Sequence, residues 1–464
     1  MNNKNPLSRR SFMKNCAALS TLGYSSAFSA LGGLSLTSQM AQAQTTRPSA
    51  YKAIVCIYQT GGNDLNMLVP TEDDDNFARY QTIRRGVALD RNEFLSIDSN
   101  GESFGLHPSC NGMKSLYDNG NLAFIANTGS LLEPTTAAQF ANKSVELPPS
   151  LQNHLVQKDF VRAGSFVNGQ YTTGWAGRIA DLYGVQSGGV PLNGTLLGDN
   201  IWQRGENSST YGFTGSSVRS LFGFRDTVIN ESLRQTALYD VNNLSRNSNH
   251  LLVREYGRVV DTSLRLSDVL REGTSSAAPS LQTSFPSGTV SQRLRSIAEL
   301  INRREALEMP QQIFYVDSPG WDMHDDLLIE HSSNLADLSN GLAAFYQALE
   351  EMGLENDVIT FTNGDFGRTL DPNSDGSDHA WGGNQLIMGG RVDGGQVFGD
   401  YPLFVEGEGE TQFRNFRGLL VPTIATDQVS STIAKWFGGF SNSTLNELFP
   451  NVSSFNTNDL GLIV

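Results

Sequence analysis

Carboxylates, imidazoles and glycines recur together in four short stretches of the chain. These are Gly61-Gly62-Asn63-Asp64, Gly320-Trp321-Asp322-Met323-His324, Asp365-Phe366-Gly367-Arg368 and Asp375-Gly376-Ser377-Asp378-His379. Asp64, Asp322, His324, Asp365, Asp378 and His379 offer hard-to-borderline oxygen and nitrogen donors, the set that Zn²⁺, Mn²⁺, Mg²⁺ or Ca²⁺ accepts. Two such ions would lie about 3.5–4 Å apart and could clamp an in-line displacement at phosphorus or sulfur. Arg368, three residues past Asp365, is suited to bidentate recognition of a tetrahedral oxyanion. The glycines allow backbone to approach ions and ligand closely. Taken singly, each acid is ordinary, because Asp beyond a strand often forms a turn or caps a helix. The case for a site rests on several loops converging.

Convergence requires elements that deliver these loops to one place. Ala53–Tyr58, Asn121–Ala126, Gln312–Val316, Asp357–Thr362 and Gln385–Met388 are apolar runs of strand length, as expected for strands buried on both faces. The first, third and fourth run directly into the stretches holding Asp64, Asp322 with His324, and Asp365, and the fifth follows the one holding His379. Between them, Leu294, Ile297, Ala298 and Ile301 recur at helical spacing, as do Leu335, Leu338, Leu342, Phe345 and Leu349 ahead of Gly353. Strands alternating with amphipathic helices predict an α/β domain with a mostly parallel sheet, whose strand carboxyl ends form the ligand-binding edge. Residues 165–265, rich in Gly, Asn and Ser, and the Ser/Thr/Pro-rich loop Gly273–Gly288 read together as an insertion or cap on that sheet.

Ser8-Arg9-Arg10-Ser11-Phe12 is a twin-arginine motif, followed by a weakly apolar stretch and a small-residue cleavage site at Ala41-Gln42-Ala43. Residues 1–43 are therefore predicted to be a leader for the twin-arginine translocase, which carries proteins already folded. Thr45–Ser49 reads as a short tether, and the domain is predicted to span 44–464, periplasmic or secreted. Formal charge is −15 over 464 residues, so the chain repels nucleic acid and anionic membrane surfaces. No segment past the leader approaches the roughly 20 apolar residues of a spanning helix. Cys56 and Cys110 are the cysteines beyond the leader. They either pair in an oxidising compartment or stay as lone buried thiols, and two are too few for a cysteine-rich zinc or iron–sulfur site.

The same residues resemble a bacterial twin-arginine-exported family known as domain of unknown function 1501, over essentially the whole mature chain. The resemblance is carried by Gly61–Asn66 with Val69-Pro70, Gly105-Leu106-His107-Pro108, His154 with Gln157, and Gly174–Arg178. The 320–324, 365–369 and 376–379 stretches, Pro422-Thr423, Trp436–Gly438 and Phe449-Pro450 complete it. That family is similar to the alkaline phosphatase and sulfatase superfamily. The similarity implies an αβα sandwich with metal at the strand carboxyl ends and hydrolysis of phosphate or sulfate esters. It implies Asp64 as the first-strand ligand, Asp322 and His324 as the middle pair, and His379 with Asp378 as the last. Asp365 stands where the superfamily has an Asp-His pair, with Phe366 in the His place. His154 is a further ligand or a partner of one. The superfamily nucleophile is a Ser, Thr or Cys; Thr128 and Ser130 are candidates by position, and family members often carry Ser before the residue matched by His154, where this chain has Asn153. The gap at the nucleophile leaves a second reading open, a non-catalytic periplasmic binding or assembly protein on the same fold.

Overall fold

Alternation along buried strands fixes the architecture. In a computed structural model, which describes residues 50–464 apart from 72, 165–171, 185–188, 197, 199, 215–216, 219–230, 276–279, 403, 405–412 and 415–416, all five apolar runs become strands of one ten-stranded sheet. The leader and the tether lie outside the described residues. Lys52–Gln59 (β1), Leu122–Gly129 (β2), Asn193–Thr195 (β3), Thr210–Thr214 (β4), Gln311–Ser318 (β5), Val358–Gly364 (β6) and Gly383–Met388 (β7) make up most of it. The order through its centre is β2-β7-β6-β1-β5-β3-β4. Pairing is parallel except along β7, which runs antiparallel to both neighbours, and where Thr210–Thr214 meets the short Ser217–Val218 strand.

Odd and even residues of the same strand serve two cores. Ala53, Val55 and Ile57 of β1 join Phe124, Phe314 and Leu386 under the helices Asn111–Asp118, Thr289–Ile301 and Leu327–Met352. Ile54, Cys56 and Tyr58 join Ile125, Tyr315 and Phe361 under His154–Ala163, Trp175–Tyr183, Thr426–Gly438 and Asn442–Leu448. Helices cover both faces, giving the predicted αβα sandwich. Each fully buried Leu, Ile, Val or Phe contributes on the order of 1.5–3 kcal/mol, and β1 is buried along nearly its whole length, so the sheet centre is the stiffest place from which to hang a site. Cys56 and Cys110 belong to opposite faces and remain free thiols.

Register brings the strand ends level. Gln59 pairs with Gly364 on one side and Ser318 on the other, so the loops after β1, β5 and β6 leave the same edge side by side. Because β7 is antiparallel, it begins at that edge, with Gly383 opposite Thr128, and the 375–382 loop arrives there too. Among the described residues, part of the 165–288 stretch belongs to the sheet itself. Asn193–Thr195 and Thr210–Thr214 extend the parallel sheet beyond β5, and Trp175–Tyr183 packs on its face. The helices Glu231–Arg246 and Leu251–Ser275 pair with each other, the second also meeting Ser217–Val218, and it carries helix into the stretch that composition marks as loop.

Candidate metal centre

Three imidazoles and one carboxylate meet where the loops emerge. His154 opens the helix His154–Ala163 after its N-cap Asn153, Asp322 and His324 follow β5, and His379 precedes β7. His379 Nε2 is 2.9 Å from His154 Nε2 and 3.0 Å from His324 Nε2. Asp322 Oδ1 lies 3.2, 3.0 and 3.2 Å from the Nε2 atoms of His154, His324 and His379. His154, Asp322 and His379 form a group able to offer one ligand atom each to a single ion, and His324 adjoins it.

The other nitrogen of each ring is held by an acceptor. His154 Nδ1 donates to Asp365 Oδ2 at 2.8 Å, His324 Nδ1 to Asp378 Oδ1 at 3.1 Å, and His379 Nδ1 to the Gln152 carbonyl at 2.9 Å. Those partners assign the tautomers: with hydrogen on Nδ1, each Nε2 turns a bare lone pair toward the others. Three lone pairs and a carboxylate oxygen facing one another repel unless a cation or protons lie between them. Ligands about 2.05 Å from a tetrahedral Zn²⁺ stand roughly 3.3 Å apart, and the observed separations fall just inside that. The donor set and its orientation therefore fit a single divalent ion.

The surroundings fix this geometry. Arg368, with no exposed side-chain surface, donates from Nη1 to Asp322 Oδ1 at 2.6 Å and to the Gly61 carbonyl at 3.0 Å, and from Nη2 to the Ser377 carbonyl. Burial works against ionising Asp322, but the Arg368 bond and charge prevail and bring its pKa down to about 2. Burial likewise opposes a proton on His154, yet the Asp365 bond and the Asp322 charge lift it above the ordinary imidazole value. Burial and the neighbouring His154 and Arg368 keep His379 below it, against the Gln152 bond. Phe366 packs against His154 and His379 with ring centroids 4.6 and 4.9 Å away. The side chains of Asp322 and His324 are 44% and 39% exposed, so the group opens to solvent.

The remaining sequence candidates stand further back. Asp365 faces the site through His154; its oxygens also accept from the Tyr58 hydroxyl at 2.6 Å and the Gly61 amide at 3.0 Å. Asp378 holds His324 and forms an ion pair with Arg417. Asp64 is fully buried, bound to Arg84 at 2.7 Å and capping Leu65–Met67; burial raises its pKa, but Arg84, His331 and the Asn66 amide together lower it. It does not join the His group. Arg368 braces Asp322 with the donors proposed for an oxyanion. Thr128 Oγ1 donates to the Gly383 carbonyl at 3.3 Å, and Ser130 Oγ to Gln157 Oε1 at 2.6 Å, so neither hydroxyl is directed at the group. The Gly-Gly pair has a packing reason: at Gly61, with φ +112°, a Cβ would sit 2.3 Å from the Asp322 amide nitrogen, and at Gly62, with φ +89°, 2.2 Å from the Phe366 carbonyl oxygen. Arg84, Arg417 and Tyr58 were not singled out from sequence; they lie far along the chain from their partners, and no local pattern announces them.

Residues 51–417 match the model of a family described as a protein of unknown function, DUF1501, and the chain belongs to that family. No curated protein matches it. Among solved structures, Ps i-CgsB in complex with k-i-k-neocarrahexaose is 10% identical, with 88% of this chain and 77% of that chain covered and a TM-score of 0.36. The lipoteichoic acid synthase LtaP of Listeria monocytogenes is 8% identical, with 83% and 72% covered and a TM-score of 0.31. A mutant of the alkaline phosphatase PafA is 11% identical, with 69% and 64% covered and a TM-score of 0.27.

Proposed function

We propose that this DUF1501 member holds one divalent cation on His154, Asp322, His324 and His379 and hydrolyses phosphate or sulfate esters with water as the nucleophile. The observation that carries the metal is the orientation of three Nδ1-anchored imidazoles, all turning Nε2 toward Asp322 Oδ1. When bound, such a cation would polarise the ester and acidify water at the site. The protein's own groups set the stage for this. Asp365, Asp378 and the Gln152 carbonyl keep the imidazoles in the ligating tautomer, as anchoring acceptors do in metal sites. Arg368 keeps Asp322 ionised, and Phe366 stops two rings from rotating away. One ion is favoured over two, because Arg84 already pairs with Asp64 Oδ1 and Asp365 already accepts from Tyr58, Gly61 and His154. Water is favoured over Thr128 or Ser130, since both hydroxyls are engaged away from the group.

A specific observation favours the second reading, a non-catalytic binding or assembly protein. Four protein ligands close a tetrahedral Zn²⁺ shell, the arrangement of structural sites, whereas catalytic zinc keeps a position open. An ion accepting five or six ligands would retain such a position beside half-exposed Asp322. Elemental analysis of the protein from its own host is the first test, expected to give one equivalent of metal, lost in Asp322→Ala and reduced in Asp365→Asn. Metal-loaded protein is then offered aryl phosphates, phosphodiesters and sulfates. Turnover abolished by Asp322→Ala supports hydrolysis. Bound metal with no turnover across the panel assigns the binding role, and no metal with the fold intact overturns the cation and the hydrolysis that depends on it.

A further inference from the structure

The helical pair Glu231–Arg246 and Leu251–Ser275 leaves large apolar side chains in water. Leu244 is 75% exposed, Tyr256 69%, Val259 65%, Leu252 62% and Val241 60%. Scattered surface apolars are ordinary, but a contiguous patch marks an interaction site. Here spacing makes them contiguous. Leu252, Tyr256 and Val259 follow i, i+4, i+7 and share one stripe, as do Val241 and Leu244 at i, i+3. Asn242 in the first helix and Gly257 and Leu264 in the second are buried, and a Cβ on Gly257 would lie 2.7 Å from the Arg246 amide nitrogen, so these residues mark the seam between the two helices. Measured from that seam at about 100° per residue in two antiparallel helices, both stripes turn to the same side. The outcome is a two-helix apolar face.

We propose that this face joins two copies of the chain, the pair of helices from each packing into an antiparallel four-helix bundle about a twofold axis. The area fits. Five side chains exposing roughly 100 Å² each provide about 500 Å² of apolar surface per copy. A standard-size, dissociable interface that is about 57% apolar and buries about 800 Å² per partner needs roughly that much. Self-association is also the favoured occupant on charge. The two helices carry six Arg against six Asp and Glu, so two such faces meet without net repulsion, and an apolar face pairing with itself needs no opposite charge from elsewhere. The two stripes lie along the helix flanks over about two turns of the second helix, which suits side-by-side helices.

The test is sedimentation velocity of the purified full chain over a dilution series, with Leu244→Glu and Tyr256→Glu separately and together. The wild type is expected at twice the chain mass, dissociating on dilution. The double variant is expected as a monomer, its dimer dissociation constant raised at least about a hundredfold by burying charge in an apolar interface, with circular dichroism, melting temperature and metal content unchanged. Leu252→Lys should act alike, through the opposite charge. A wild type monomeric at every concentration overturns the proposal, as does a dimer indifferent to all three substitutions. Monomeric wild type that floats with phosphatidylglycerol vesicles, and no longer does so as Tyr256→Glu, assigns the face to lipid instead.

Discussion

Asp427 shows how far the fold will move a single carboxyl. It is 3% exposed, and Asn451 Nδ2 donates to its Oδ2 at 3.1 Å. Burial raises its pKa to about 6, against the opposing pull of Asn451 and Arg178. The unfolded chain releases this proton near pH 3.9. Between about pH 4 and pH 6 the folded state therefore binds more protons than the unfolded one, and stability falls as pH rises through that window. Above it the cost is complete. Asp427→Asn is expected to stabilise the protein by up to about 3 kcal/mol near pH 8 and by almost nothing near pH 4. Melting temperatures at the two pH values check this, and an equal shift at both would remove burial of charge as the cause. Residue identity was legible from sequence only where glycine and acid flank a strand: Asp322, His324 and His379 lie at the site, and Asp365 and Asp378 one contact behind. Asp64 has the same signature and is absent from the group, because Arg84, twenty residues on, takes its carboxylate. A motif gives the ligand type; the neighbour that competes for it is a property of packing.

At the scale of elements, the helix His154–Ala163 couples stability to the site. Asn153 caps it by accepting from the Leu155 and Val156 amides at 3.0 and 3.3 Å, and the next residue is His154, a proposed ligand. The position where family members often carry Ser is thus a helix cap, a task that Ser and Asn share. Asn153→Ala should cost about 1 kcal/mol, lower the melting temperature by about 2 °C or less in a chain of this size, and weaken metal retention about tenfold by loosening His154. Asn153→Ser should restore both. If melting temperature falls while metal retention is unmoved, the cap is structural alone. Strands β1, β2, β5, β6 and β7 were legible because buried β-branched and aromatic runs bounded by turns have few other fates. The two short strands Asn193–Thr195 and Thr210–Thr214 were not, because Asn-Gly-Thr and Thr-Tyr-Gly-Phe-Thr carry no apolar run and are recruited by the free edge of β5. His154 was legible only by resemblance, since it sits on a helix remote in sequence from any strand end.

For the whole molecule, no helix among the described residues is long and apolar enough to cross a membrane. The expectation of export rests on the leader, and replacing Arg9-Arg10 with Lys-Lys should leave unprocessed precursor in the cytoplasm; normal cleavage and export of that variant would overturn the pathway. The sandwich class was legible from the alternation of strand and helix patterns, whereas the way in which β7 reverses direction was not, because an apolar strand reads the same in either sense. The register of β1 sets one further condition on how this protein comes into being. Ala53 pairs with Gln312 on one side and Val358 on the other, so the first strand to leave the ribosome has no neighbour until about two-thirds of the chain has been made. At roughly 5–20 residues per second, that is a wait on the order of 15–60 s. Throughout it, Ala53-Ile54-Val55-Cys56-Ile57-Tyr58 is an unpaired, uncharged β-segment, the kind that associates with copies of itself. Chaperone cover during synthesis, and the rate at which the ribosome traverses residues 60–360, therefore bear on yield as directly as the stability of the finished sheet.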